Sequence, residues 1–293
     1  MTDRAEQVET PSGKGAEDEN FPVGSLLLPK ALRPHVALFY DFARAIDDIA
    51  DNPSLKPAEK TARLDGFAAA ILGRGSGDPA YRKAHLLRAS LIATGVTTQH
   101  CIDLVTAFKR DATVLRYASW EELIDQYCML SAAPVGRYLL DLHGEDPSGY
   151  GASDALCNAL QVINHLQDCK DDFLNLNRVY LPQDWLAAEG LTVSALEAPH
   201  ANPGLRRVLD RCIDGTEKLL VEARTLPGQL KSRRLAYESG AIVALAERLA
   251  TLLRQRDPVA RRVELAKPAF LFVAARGVLR TFLDGGAREK AAA

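Results

Sequence analysis

Hydrophobic and polar positions follow helical periodicity along almost the whole chain, and no stretch shows the alternation of a half-buried strand. The sequence contains no internal repeat. The pattern predicts an all-α protein. The predicted helices cover Pro34 to Asp51 and about 57–72, 79–94, 97–112, 119–143, 152–176, 203–226, 231–256 and 258–281.

Proline and glycine mark the boundaries of these helices. Pro34 suits the first turn of a helix, and Asn52-Pro53 is expected to end it. Residues 1–19 and 285–293 are polar or small, and we expect both segments to be disordered. Since no long linker divides the rest, a single domain is expected over 20–284.

The composition is that of an ordinary globular protein, 47% hydrophobic and 25% charged. A net charge of −2 gives no support to nucleic-acid binding, so no nucleic-acid partner is expected. Five cysteines without paired spacing indicate reduced, buried thiols in a cytoplasmic protein.

The sequence shows neither a signal peptide nor a stretch long enough to span a membrane. The apolar run from Pro268 to Ala275 is cut short by Arg276, which favours a buried core helix. If the substrate is a lipid, we expect peripheral contact with the inner membrane.

Two aspartate clusters of similar form carry the candidate chemistry. Asp47 and Asp51 lie four residues apart, as do Asp168 and Asp172, so each pair shares one face of a predicted helix. Like charges at this spacing destabilise a helix, but a divalent cation would reverse that effect. Mg²⁺ prefers oxygen ligands and commonly combines a few carboxylates with substrate phosphates and water. The clusters therefore suggest two facing helices that bind a diphosphate through Mg²⁺.

A solvated acidic surface is the alternative interpretation, and for one cluster alone it would be preferred. A second cluster with the same spacing, again on an otherwise apolar helix, favours a metal site. Arg44 is expected either to form a salt bridge with Asp47 or to contact a phosphate oxygen. Arg178 and Tyr180 follow the second cluster, where a cation could hold a departing diphosphate.

Four motifs in order resemble the squalene/phytoene synthase family. They are Arg44-x-x-Asp47-Asp48-x-x-Asp51, Tyr127-Cys128 followed by Val135-Gly136, Asn164-x-x-x-Asp168-x-x-Asp171-Asp172, and Arg178-Val179-Tyr180-Leu181-Pro182. The resemblance implies the isoprenoid synthase helical fold with a central cavity between the Asp-rich helices. It also implies Mg²⁺-dependent ionisation of a prenyl diphosphate substrate.

The same resemblance implies roles for individual residues. Asp47, Asp51, Asp168 and Asp172 are the implied catalytic and metal-binding positions. The implied substrate-binding residues are Tyr40, Arg44, Asp48, Tyr127, Asn164, Asp171, Arg178 and Tyr180. Aromatic side chains could stabilise a carbocation, with Phe21, Phe39, Tyr40, Tyr127 and Tyr138 as candidates.

Leu130 departs from the family pattern. Members that condense two prenyl diphosphates typically have a second tyrosine there, three residues after the first, and leucine has no ionisable group to help remove a proton. The Ser131–Arg137 run and the segment from Asn20 to Ser25 resemble the bacterial branch that converts presqualene diphosphate and water to hydroxysqualene, commonly for hopanoids. That branch exchanges intermediates with other enzymes of squalene synthesis.

Three alternatives stay open at this point. The chain could condense prenyl diphosphates to presqualene diphosphate or phytoene. It could be a non-catalytic helical scaffold of the same fold, although both acidic clusters are complete. It could also be an unrelated all-α module with solvated acidic faces. His165, within the second motif, is either the base that activates water or a histidine satisfied within its helix.

Overall fold

The computed structural model describes residues 8–11, 13, 27–74 and 77–292, with only the backbone described from 286 to 292. The prediction of an all-α protein is confirmed. The described residues contain no strand, only an isolated bridge between Arg116 and Val179. The disorder expected for 1–19 concerns residues that lie mostly outside the described ranges.

The chain divides into two compact units, Met1–Val114 and Leu115–Ala293, and each is described here by itself. The single domain expected over 20–284 stays a prediction. The first unit contains α1 (Arg33–Asp51), α2 (Pro57–Leu72), α3 (Arg82–Thr94) and α4 (Gln99–Asp111). In its core the Phe42 and Phe67 rings meet edge to face, with centroids 5.8 Å apart.

Both ends of α1 follow the sequence signals. Pro34 lies in its first turn, and Asn52 ends it in an extended conformation. The Asn52 side chain accepts a hydrogen bond from the Ser54 amide at 2.9 Å, which stabilises the turn after the helix. Lys60 donates from Nζ to the Ala50 carbonyl oxygen at 2.6 Å. A cation therefore satisfies one of the last carbonyl groups of α1.

The second unit is also entirely helical among its described regular elements. It opens with a π-helical segment, Glu122–Cys128, in place of an ordinary helix. The α-helices that follow are α5 (Met129–Ser131), α6 (Ala133–Leu142), α7 (Tyr150–Gln167), α8 (Cys169–Leu176), α9 (Gln183–Ala188), α10 (Pro203–Ala223), α11 (Arg233–Gln255) and α12 (Lys267–Ala292).

Besides the last helix, three elements of the second unit differ clearly from the predictions. The helix expected over 119–143 is divided by the π-helical segment and by a new start near Pro134, which has no N–H for an internal helix bond. The helix expected over 152–176 is interrupted at Asp168. The short helix α9 was not predicted.

The last helix begins nine residues later than the predicted start at 258. Asp257 explains the delay, because its carboxylate accepts hydrogen bonds from the amides of Ala201 and Val259 at 2.8 and 2.9 Å and holds a turn. The backbone then stays helical to Ala292, although disorder was expected from 285. Alanine, arginine, glutamate and lysine in that tail all favour helix.

All five cysteines are buried or half-buried, and none forms a disulfide. Burial raises the pKa of Cys101, Cys157 and Cys169 to about 12. These thiols therefore stay protonated at neutral pH, and the prediction of buried thiols is confirmed. In the part of the chain that the structure describes, no helix has both the length and the apolar character needed to cross a membrane.

Helices α11 and α12 pack backbone to backbone where two glycines meet. A Cβ atom on Gly277 would overlap the carbonyl oxygen of Gly240 and lie 2.8 Å from the Ala241 Cα. Real Cβ atoms do not approach backbone that closely, so any larger residue at 277 would force the two helices apart.

Gly277→Ala is therefore expected to destabilise the protein by about 1–3 kcal/mol through overpacking. Gly285→Ala is the matched control on the same helix, since a Cβ there meets nothing within 4 Å. The control should gain about 0.5–1 kcal/mol, because glycine loses more backbone entropy than alanine in a helix. Urea unfolding of both variants measures the difference, and equal stabilities would contradict the close helix contact.

Candidate active site

The first aspartate motif lies in the last two turns of α1 and is bound by Arg44. The guanidinium Nη1 lies 2.8 Å from Oδ2 of Asp47, and Nη2 lies 2.8 Å from Oδ1 of Asp48. Asp48 is buried, while Asp47 and Asp51 are half-buried. Arg44 therefore fixes two of the three carboxylates, as the salt-bridge interpretation of the sequence expected. Tyr40 lies one turn earlier and is close enough to interact electrostatically with Arg44.

The charge on Asp47 is unfavourable in the fold. Burial and repulsion from Asp51 raise its pKa well above the usual range, and the attraction of Arg44 offsets this only in part. The helix itself adds to the cost, because these carboxylates lie at the carboxyl end of α1, where the helix dipole is negative. The site therefore favours a neutral carboxyl or a bound cation.

Asp111 is a further carboxylate of this site that the sequence analysis did not single out. It is buried, it is the last residue of α4, and its charge contributes to the raised pKa of Asp47. Two helices of the first unit thus bring carboxylates together at their negative ends. An aspartate that ends an apolar helix was the available signal, but such residues are common and rarely informative alone.

The second motif straddles a break between two helices. Asp168 leaves helical geometry between α7 and α8, but its carbonyl oxygen still accepts the Asp172 amide at 2.8 Å. The four-residue spacing is therefore preserved. Asp171 and Asp172 lie in the first turn of α8, where the helix dipole is positive and favours carboxylates. Asn164, one turn before the break, is half-buried.

Arg262 is a second residue that the sequence analysis missed. Its Nη1 contacts Oδ1 of Asp168. The segment that carries it is fixed by Asp257 and by a hydrogen bond from buried Gln167 to the Val263 carbonyl oxygen. Because Arg262 lies 94 residues from Asp168 in an irregular segment, no periodic pattern could relate the two. An arginine here can orient the carboxylate or bind a phosphate oxygen.

The chain after α8 turns sharply at Asn177, a non-glycine residue with positive φ, 52°. Asparagine tolerates this left-handed conformation better than most residues. The Arg116 guanidinium donates to Oδ1 of Asn177 at 2.7 Å and so holds the turn. The turn directs the Arg178 amide to the Asp172 carbonyl oxygen at 3.1 Å, and both Arg178 and Tyr180 are buried. Arg178 thus lies directly beside the second motif.

Four aromatic rings cluster next to this turn. The Tyr180 ring stacks on His165 with centroids 3.5 Å apart, and Tyr127 lies 5.2 Å from Tyr180. The hydroxyl oxygens of Tyr127 and Tyr180 are 3.4 Å apart, and Tyr117 stacks on Tyr180 at 5.8 Å. The cluster is an apolar wall with polar edges, suited to a hydrocarbon chain near a phosphate group.

His165 is held neutral within this cluster. Burial, with a contribution from the charge of Arg178, lowers its pKa to about 3. Its Nε2 lies 3.2 Å from the amide nitrogen of Gln161, which can donate to it. A ring this weakly basic is a poor proton acceptor at neutral pH. The geometry therefore favours a satisfied structural histidine over the base that activates water.

The remaining candidates fall in different environments. Phe39 and Tyr138 are buried in the core, and Phe21 lies outside the described residues. Leu130 is half-buried in α5. Arg137 forms two hydrogen bonds with the Asp154 carboxylate, at 2.8 and 2.6 Å, so its charge is paired within the protein.

The chemistry of the carboxylates fits Mg²⁺ in each unit. No group of three or more His, Cys, Asp and Glu side chains among the described residues is arranged as a metal site by itself. Mg²⁺ does not require such a cage, since it usually takes one or two carboxylates and completes its shell with water and phosphate. The repulsion at Asp47, at the negative end of α1, is the kind of electrostatic cost that a bound cation would relieve.

Comparison with known proteins agrees with the motifs. Residues 15–269 match the family described as squalene/phytoene synthase. Hydroxysqualene synthase of Rhodopseudomonas palustris is 44% identical over 92% of this chain and 90% of its own length. The protein of the same name from Zymomonas mobilis is 41% identical over 92% and 91%. Presqualene diphosphate synthase of that same organism is only 29% identical, over 67% of each chain.

A solved structure shows the same fold. Squalene synthase HpnC from Alicyclobacillus acidocaldarius superposes with a TM-score of 0.69 at 33% sequence identity, covering 80% of this chain and 87% of its own. The family match, the relatives and the fold all indicate the same family as the two acidic motifs. The chain is therefore an enzyme of the squalene/phytoene synthase family, with the helical fold of the isoprenoid synthases.

Proposed function

We propose that this enzyme converts presqualene diphosphate and water to hydroxysqualene and diphosphate, in squalene and hopanoid synthesis. The proposal is based mainly on the difference in sequence identity between this chain and two groups of relatives. Identity is 41–44% to proteins named hydroxysqualene synthase over nine-tenths of the chain, but 29% to a presqualene diphosphate synthase. Leu130, where condensing members typically have tyrosine, supports the same choice.

The proposed reaction needs no oxidant or reductant. The bond between carbon and the diphosphate oxygen breaks, and its electron pair leaves with the diphosphate. The cation left behind opens its three-membered ring and rearranges. A water oxygen then forms the new carbon–oxygen bond, and one proton is released. Atoms and charge balance without a nicotinamide.

Asp47 and Asp51 of the first motif, and Asp168 and Asp172 of the second, are proposed to hold Mg²⁺. Bound there, Mg²⁺ would act as a Lewis acid that stabilises the charge of the leaving diphosphate. Arg44 positions Asp47 and Asp48 through its two salt bridges. Tyr40, next to Arg44, is proposed to complete this part of the substrate site.

In the second unit the positive groups next to the carboxylates are proposed to bind phosphate oxygens. The backbone amide of Arg178 donates to the backbone carbonyl of Asp172, and the Arg262 guanidinium contacts the Asp168 carboxylate. Asn164 and Asp171, on either side of the helix break, are proposed to contribute polar contacts. The aromatic cluster with Tyr127 and Tyr180 is proposed to shield the carbocation, because tyrosine faces can stabilise a cation while excluding water.

Product analysis tests the proposal. The purified enzyme receives Mg²⁺ and either farnesyl diphosphate or presqualene diphosphate in separate reactions without nicotinamide, with chelator added to matched controls. The expected result is hydroxysqualene from presqualene diphosphate alone, and no product in chelator. Presqualene diphosphate or phytoene from a simpler prenyl diphosphate would establish the condensing alternative. No turnover of either substrate would favour the non-catalytic scaffold.

A further inference from the structure

The last helix, α12, carries an unusual amount of exposed apolar surface. The run from Pro268 to Ala275 was expected to be a buried core helix, but Leu271 and Phe272 within it are exposed, so that prediction is wrong. Nine large hydrophobic side chains among the described residues are exposed, and five of them lie on this one helix. The other four are spread over three helices of the protein. The five are Leu271 (69% exposed), Phe272 (71%), Leu279 (56%), Phe282 (57%) and Leu283 (60%).

These five side chains form one continuous face. At 100° per residue they occupy an arc of about 120°, and between 267 and 285 the two other residues within it are Pro268 and Ala275. We call this arc the α12 apolar face. Most of it lies away from the side that packs on the protein, because Gly277 and Thr281 lie on the opposite side and meet Gly240 of α11. At one edge of the arc the Phe282 ring lies near that of Tyr237 of α11, with centroids 6.5 Å apart. Helix α12 is thus apolar on two sides, and only one is covered by the described protein.

The charges beside the α12 apolar face are mostly positive. Lys267, Arg276 and Arg280 are exposed. Asp284 is the sole carboxylate between 267 and 285, and it lies 3.9 Å from Arg280 and offsets its charge, so the positive excess comes from Lys267 and Arg276. Arg276 and Arg280 follow one edge of the arc, and Lys267 lies near the other. This excess contrasts with the net charge of −2 for the whole chain. An apolar face bordered by arginine and lysine is typical of helices that lie flat on an anionic bilayer.

We propose that the α12 apolar face docks on the surface of an anionic phospholipid membrane. The five large side chains enter the boundary between headgroups and acyl chains, and the basic residues contact the lipid phosphates. The charge pattern selects this partner over a second copy of the chain, because two copies would bring like charges together. The inference concerns binding alone and does not depend on which reaction the enzyme performs.

Vesicle flotation of the full-length protein tests the proposal. Vesicles contain either phosphatidylcholine alone or phosphatidylcholine mixed with phosphatidylglycerol. Wild type is expected to float with the mixed vesicles and only weakly with the neutral ones. The variant Leu271→Gln/Phe272→Gln should lose binding by about tenfold or more, since both side chains would leave water on docking. Glutamine retains a good helix propensity, so the helix itself is preserved.

Two further variants keep the test decisive. Arg276→Gln should weaken binding to mixed vesicles by about fivefold without changing binding to neutral ones. Ile92→Gln removes an equally exposed side chain, 67%, from α3 and should bind like wild type. If wild type floats with neither vesicle type, the proposal is wrong. So would sedimentation data showing a dimer that only the Leu271→Gln/Phe272→Gln variant disrupts, with no vesicle binding.

Discussion

The Asp47→Asn variant is expected to lose turnover by about a thousandfold or more, because a metal-held diphosphate gains several kcal/mol of charge stabilisation that the variant forfeits. Without metal, the same variant should unfold at a higher temperature than wild type at neutral pH. The cause is the raised pKa of Asp47: burial and the charge of Asp51 make its ionised form unfavourable in the fold. Asparagine has the same shape and no charge.

Thermal unfolding with and without Mg²⁺ provides a readout independent of activity. Wild type should gain stability from Mg²⁺, since a ligand that binds the folded state raises its unfolding free energy. The variant should gain much less. Asp41→Asn is the matched control, an exposed aspartate on the same helix, and should behave like wild type. Normal turnover by Asp47→Asn, or an unchanged response to Mg²⁺, would contradict the metal-site assignment.

Replacing His165 by phenylalanine is expected to remove much of the acid sensitivity of the fold. The pKa of this ring is about 3 in the folded protein, against about 6.5 for an exposed histidine. Above pH 6.5 the ring is neutral in both states, so it has no effect on pH dependence. Below pH 6.5 only the unfolded chain takes up the proton. The unfolding free energy therefore falls by about 1.4 kcal/mol for each pH unit down to about pH 3.

Urea unfolding of wild type and His165→Phe at a series of pH values measures this slope. Phenylalanine keeps a flat ring to stack on Tyr180, and half-buried Gln161 can turn to water. As the pH falls, wild type should lose unfolding free energy faster than the variant. Any stability advantage of wild type should therefore shrink, and at low pH the variant should be the more stable protein. His200→Gln, at an exposed position, should follow wild type throughout. Parallel curves for wild type and His165→Phe would show that the ring titrates normally.

Sequence signals within each helix, such as its periodicity and its end residues, were sufficient to predict much of the fold. Pro34 and Asn52 bound α1 as expected, and α2 coincides with its predicted range. The break at Asp168 was missed, because the i to i+4 hydrogen bonds continue across it and the hydrophobic period is unchanged. The late start of α12 depends on the side chain of Asp257 and its distant partner Ala201.

The residues of the candidate site also fall into those predicted by local sequence signals and those that tertiary contacts bring in. Arg44 and the aspartates are close in sequence, so helical spacing alone predicts which side chains share a face. Asp111 and Arg262 join them through tertiary packing of α4 and of an irregular segment, for which the sequence has no periodic signal. Arg137 is a similar case, since its partner is Asp154 on the next helix.

The π-helical segment Glu122–Cys128 affects how relatives of this enzyme are aligned. A π-helical turn holds one more residue than an α-helical turn. A relative with an ordinary helix in this stretch should therefore be one residue shorter between Trp120 and Pro134. An alignment that moves this gap into a neighbouring loop would shift the column that contains Leu130. Assigning family members to condensing or hydrating chemistry by that column requires the gap to be placed inside the helix.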